Sequence, residues 1–283
     1  MNSRQQLTRY KLWFLTAIFV LCVIAGCTQN TPVDANAEAR LASIKVPIDL
    51  HYGETALACN AFFKHGGYEW ALNRFALFIS DVEVKLSEQV DWRPLALLEN
   101  QWQTPKTALI WVGQGCDREP TSNNYNQQLL LGISPQAWRN VSAIRFSMAV
   151  PFQENHANPL TQPSPLNISE MFWSWRFGHK FLRLDLTTDA LDERKNWSYH
   201  LGSVGCQSPS SMRSPEQECA MPNRFTVVLT KPLASTSLAI DLKHLLRDVD
   251  IAQTPSCMFQ RDAETSCRIL ADNINTPGLM TWQ

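Results

Sequence analysis

Much of this chain alternates between apolar and polar residues with a period of two. Ile44, Val46, Ile48 and Leu50 are interleaved with Lys45, Pro47, Asp49 and His51, the pattern of a half-buried strand. Pro47 has no N–H to give a sheet ladder, so this strand is expected at an edge. Phe75, Leu77 and Ile79 repeat the pattern, and further strands are expected over 82–86, 107–112, 143–150, 180–186, 225–230 and 237–241. Helical signals are confined to 135–140 and 241–247, each one or two turns. Short strands at irregular spacing, separated by Pro, Asn, Ser and Gly clusters, predict a mainly β protein, an antiparallel β-sandwich with long loops.

The first residues are of another kind. Arg4, Arg9 and Lys11 precede an apolar run over 12–25, which reads as a secretory signal and is short for a spanning helix. The run ends in Ile24-Ala25-Gly26-Cys27, which matches the bacterial lipobox, where cleavage leaves the cysteine as a lipidated first residue. The expected layout is a lipoprotein signal peptide over 1–26, lipidated Cys27 with a flexible tether to 42, and one β-sandwich domain over 43–283. Thr28 after the cysteine leans towards the outer membrane of the bacterial cell envelope, facing the periplasm. The signal holds three of the 25 basic residues, so 22 remain against 26 acidic ones, and no basic patch argues for nucleic acid.

Cysteine usage fits the same compartment. With Cys22 in the signal and Cys27 at the lipid site, an even set remains: Cys59, Cys116, Cys206, Cys219, Cys257 and Cys267. Many connectivities are open to it, and three disulfides are the default in an exported chain. Local pairs Cys206–Cys219 and Cys257–Cys267 would close short loops and leave Cys59 for Cys116. Each bond would stabilise by about 3 kcal/mol through loop closure. No C-x-x-C spacing of a thiolate metal site occurs.

Candidate chemistry concentrates between Pro151 and Cys206. His156 lies in a proline-bounded loop and His200 precedes Leu201-Gly202-Ser203, read as a turn that Cys206 can staple. Neutral imidazoles on separate loops can fix two corners of a copper, zinc, iron or nickel site. His51, His65, His179 and His244 stand alone on strand faces, loops or a helix surface. Trp173 and Trp175 are two apart and, in extended backbone, share one face. That face suits core packing, a stacking platform for a sugar or peptide, or a redox-active aromatic pair. Gly202-Ser203-Val204-Gly205 lacks the glycine spacing of a nucleophile elbow, so no hydrolase is expected.

The set Asn155-His156, Pro165-Leu166-Asn167, Met171-Phe172-Trp173-Ser174-Trp175, Gly178, His200-Leu201-Gly202-Ser203, Gly205-Cys206, Cys219 and Pro222-Asn223-Arg224 resembles the MbnP-like family of exported proteins. The resemblance runs over roughly 44–270, through Cys59, Cys116 and Cys257-Met258 to Cys267. It implies a copper-binding protein that is not an enzyme but the substrate of a MauG-like di-haem partner, which oxidises one tryptophan to kynurenine. Carried onto this chain, it implies copper ligation by His156 and His200 and modification of Trp173 or Trp175, with Trp197 and Trp70 as further possibilities. His179 stands where the family has tyrosine and offers a third imidazole, and Arg176 stands where it has glutamine and brings positive charge near the site. The alternative to copper is a carbohydrate- or peptide-binding surface lipoprotein built on the two tryptophans.

Overall fold

The computed structural model describes residues 43–113, 115, 124–191, 193–210, 212–258 and 265–283. The expected signal peptide, lipidation site Cys27 and tether, and also Cys116, lie outside them. Its strands are β1 (Ile44–Tyr52), β2 (Thr55–Leu57), β3 (Phe62–His65), β4 (Tyr68–Leu86), β5 (Arg93–Pro94), β6 (Thr107–Gly113) and β7 (Gln128–Leu131). There follow β8 (Val141–Met148), β9 (Phe172–Ser174), β10 (Gly178–Leu191), β11 (Glu193–Gly202), β12 (Phe225–Thr230), β13 (Leu238–Asp241), β14 (Cys257–Met258) and β15 (Met280–Trp282). Helices are short: α1 (Pro135–Arg139), α2 (Phe152–Asn155), α3 (Leu242–Leu245) and α4 (Thr265–Asn275).

Two sheets enclose the main core. The smaller runs β15-β13-β1-β2 with β7 also on β1; the larger runs β12-β8-β4-β10-β11-β14, with β3, β5 and β6 on β4 and β9 on β10. Val46, Ile48 and Leu50 of β1 share one buried cluster with Phe75, Leu77 and Ile79 of β4, Leu182, Leu184 and Leu186 of β10, and Trp197, Tyr199 and Leu201 of β11. Most pairing is antiparallel as expected, but β13 runs parallel to β1 and β14 parallel to β11.

Tertiary pairing changes three local expectations. β1 is not an edge: Leu50 pairs with Leu57 on one side and Ile240 on the other. Pro47 is tolerated because the β13 pairing begins only at Ile48, leaving β7 as the partner at the proline. The two strands expected over 75–79 and 82–86 are one 19-residue strand, β4, whose irregularity near Asp81 (φ 52°) passes its pairing from β10 to β8. Helix α4 was not expected, although Cys267, Leu270, Ala271 and Ile274 repeat at helical spacing and are all buried. Helix α1 does follow its signal, with Ser134 Oγ accepting from Ala137 N at 3.2 Å.

Disulfides Cys206–Cys219 and Cys257–Cys267 are present, and Cys59 is also disulfide-bonded. The second of these ties β14 to α4, and so fixes the last strand of the larger sheet beside β11.

Candidate metal centre

The site is built on the larger sheet's second face, turned away from the main core. Residues 75–80 of β4 are buried on both sides, which alternation alone does not predict. Ala76 and Phe78 point away from the main core into a second cluster with Leu109, Trp111, Ala149, Val150, Leu166, Met171 and Phe181. Leu166 and Met171 come from the proline-rich stretch after Pro151, so this stretch covers an apolar sheet face.

His179 pins the cover down. Its ring is fully buried, edge-on to Phe78 and Phe172 at centroid distances of 5.6 and 5.2 Å. Nδ1 lies 3.2 Å from the Asn155 carbonyl and Nε2 2.9 Å from that of Leu166. Burial pushes its affinity for a proton down, against the opposing pull of these carbonyls. Asn155 completes the lock: its Oδ1 accepts from His179 N at 2.7 Å. Gly178, at φ +74°, leaves the room, because a Cβ there would run into the Asn155 amide.

His156 is held at the far end of the same Asn155 side chain. Its Nδ1 faces the Trp175 carbonyl at 3.3 Å, while Nε2 is 3.1 Å from Asn155 Nδ2 and 3.7 Å from Cys219 Sγ. The tautomer that satisfies both contacts donates from Nδ1 and accepts at Nε2. Burial again lowers its affinity for a proton.

His200 has different surroundings. It lies within β11, not before a turn at Leu201; that strand was missed because its apolar side is Trp197, Tyr199 and Leu201 among charged and polar residues. Register places His200 opposite Arg183 on the outer face, and its Nε2 reaches Asp185 Oδ1 at 2.7 Å. Asp185 is braced from the other side by Arg183 Nε at 2.6 Å, and Arg183 reaches on to Glu170 at 2.8 Å. Burial alone would raise the Asp185 carboxyl, but hydrogen bonds from His200 and Ser198 and the charges of His200 and Arg183 outweigh it and hold it well below the carboxylate range. His200 Nδ1 is buried and has no hydrogen-bond partner among the described residues. One imidazole nitrogen tied to a carboxylate and the other orphaned is the arrangement of a metal-ligating histidine.

Trp173 and Met258 are neighbours of His200. The Trp173 ring lies edge-on to His200 at 6.5 Å, under Lys180 Nζ at 5.8 Å, and the residue is 40% exposed. Met258 pairs in register with His200 across the parallel β11–β14 ladder, on the same sheet face, and is 39% exposed. In the sequence Met258 is marked only by its place beside Cys257.

The two tryptophans do not share a face. The chain is extended only to Ser174 and then turns, so Trp175 packs edge-on to Phe172 at 6.1 Å, the neighbour that points away from Trp173. Trp173-Ser174-Trp175 instead links two histidines, its first ring on His200 and its last carbonyl on His156. Arg176 lies over Phe177 at 4.8 Å. Trp70 and Trp197 are 0 and 1% exposed and belong to the main core. Among the described residues, the one group of three or more potential ligands within 4.8 Å of one another is His156 with Cys206 and Cys219, whose sulfurs are bonded to each other.

A disulfide-stapled two-sheet β domain, with a carboxylate-braced histidine beside an accessible tryptophan, defines the class. The MbnP family model matches residues 42–259, and the chain belongs to that family. Among solved structures it is similar to MbnP from Methylosinus trichosporium, at 24% identity and a TM-score of 0.68, over 81% of this chain and 86% of that one. No curated protein matches. Membership of this family suggests a copper-related role.

Proposed function

We propose that this protein binds copper in the cell envelope at His200 Nδ1 and Met258 Sδ, completed by a kynurenine formed from Trp173. The observation that carries the reading is His200: a buried, unpartnered nitrogen on a ring whose other nitrogen is fixed by Asp185. Imidazole, thioether and the aryl amine of a kynurenine are donors that copper accepts. When bound, copper supplies a soft cation and no step of catalysis; the chain is a binding protein and an oxidase substrate, not an enzyme. Lipidation at Cys27 would hold it at the membrane.

Trp173 is the residue oxidised because its ring is accessible and faces His200, whereas Trp175 packs on Phe172. The oxidant is a MauG-like di-haem enzyme. Two oxygen atoms add across the indole C2–C3 bond as it breaks, both from one dioxygen or one from each of two hydrogen peroxides, which leave two waters, and hydrolysis by one water releases the formyl carbon as formate. An aryl amine and a ketone remain beside Nδ1, where an indole offers no lone pair. Asp185 fixes the tautomer and direction of His200. His179 and His156 hold the cover and do not ligate copper in this state.

Co-expression with the di-haem enzyme tests this by peptide mass spectrometry and copper analysis on one sample. The Trp173 peptide is expected to gain one oxygen and lose one carbon, with copper retained. Unmodified tryptophans alongside an active enzyme would overturn it. Diverging tryptophan rings remove the shared face on which a sugar or peptide platform was expected.

A further inference from the structure

Among the described residues, the proposed copper position leaves one cluster of metal-capable atoms unused. His156 Nε2 and the sulfurs of Cys206 and Cys219 all lie within 4.8 Å of one another, and all three residues are buried. With the sulfurs bonded to each other the cluster offers one good donor, since it is the thiolate that ligates metals. We infer that these residues form a second, reduction-gated site for a thiophilic d10 cation, opened when the Cys206–Cys219 bond is broken. This site is separate from the one proposed at His200.

A dithiol reductant gives two electrons and two protons to the S–S bond and is itself oxidised to a disulfide. Two thiols form, and they lose their protons to solvent as the cation binds. Two thiolates and one imidazole are the soft donor set that selects monovalent copper or zinc over magnesium or calcium.

The fold keeps the donors in place without the covalent bond. Val204 and Met221 form a two-hydrogen-bond bridge, at 2.8 and 3.0 Å, between the chain segments that carry the cysteines. Ala220 N donates to the Gly205 carbonyl at 3.3 Å beside it, and Asn223 Nδ2 to the Gly202 carbonyl at 2.7 Å beyond it. Within the loop between the cysteines, Ser214 Oγ donates to the His156 carbonyl at 2.5 Å, tying the third donor to the same unit. Nδ1 is committed to the Trp175 carbonyl, which turns Nε2 towards the sulfurs. Binding displaces one hydrogen bond, from Asn155 Nδ2 to Nε2.

Cadmium is the probe, because sulfur-to-cadmium charge transfer in the ultraviolet reports thiolate ligation and is silent at an imidazole–thioether site. Full-length protein is reduced with a phosphine, differential alkylation identifies the opened bond, and Cd(II) is titrated with circular dichroism followed in parallel. Reduced protein is expected to take up one equivalent with the charge-transfer band, and oxidised protein to show no band. His156→Ala should weaken binding at least about tenfold, the double variant Cys206→Ser/Cys219→Ser should abolish it, and His200→Ala should leave it unchanged. Loss of folded structure when this bond alone opens would overturn the inference, as would equal affinity in His156→Ala or a band that survives in the double serine variant. Competition with Zn(II) and Cu(I) then ranks the two cations.

Discussion

His179 and His200 stand on the same face of the larger sheet and do opposite jobs. His179 is enclosed by Phe78, Phe172 and two backbone carbonyls; its one N–H donates to a carbonyl of the covering segment, and its other nitrogen is shut in against the second. His200 spends one nitrogen on a carboxylate and keeps the other. Neither burial nor residue type separates them, since both are buried imidazoles on strands. The partner decides: carbonyls from a covering segment make a histidine structural, and a carboxylate with an unpartnered second nitrogen makes it the proposed ligand.

The sharpest way to break the contrast is on the structural side. Gly178→Ala forces a side chain into Asn155 at positive φ, and about 3–4 kcal/mol of stability should be lost, read by denaturant unfolding. A near-neutral result would mean that Asn155 does not lock the cover. On the ligand side, His200→Ala in the modified protein should weaken copper by at least about 100-fold, roughly 2.7 kcal/mol, and should also lower the unfolding midpoint, because Asp185 loses a buried hydrogen-bond partner. Retained affinity would remove His200 from the site. Asp185→Asn tests the brace, and a copper affinity lower by about 10- to 100-fold is expected from competition titration.

Acid should expose the structural histidine next. The folded-state pKa of His179 lies below its ordinary 6.5, so above that pH neither state binds the proton and its contribution is complete. As pH falls below 6.5 the unfolded chain is protonated first, and stability declines until the folded-state value is passed. His179→Gln should flatten this slope in part, His156 supplying the remainder in the same direction. Asp185, with its pKa depressed, acts only in stronger acid: its contribution is full above about 3.8 and fades below. The smallest effect expected is Trp173→Phe, which at 40% exposure should shift stability by less than about 1 kcal/mol while abolishing the kynurenine mass change.

The sequence by itself determined the mainly β class, most strand positions and the family, because alternation and short motifs are local signals; it offered the short-loop pairs Cys206–Cys219 and Cys257–Cys267 among many open connectivities, and the structure contains both. It also marked Pro151 to Cys206 as the region of interest and named His200 and Trp173 among its candidates. Only the tertiary structure separated the histidines, because the partners of each ring arrive from distant segments. Asp185 reaches His200 through the β10–β11 register, Met258 through a parallel pairing that Cys257–Cys267 secures, and Leu166 reaches His179 by folding over the sheet. The divergence of Trp173 and Trp175 was decided in the same way. A turn at the end of β9 overrides the two-residue period, and Trp175 is drawn into contact with Phe172.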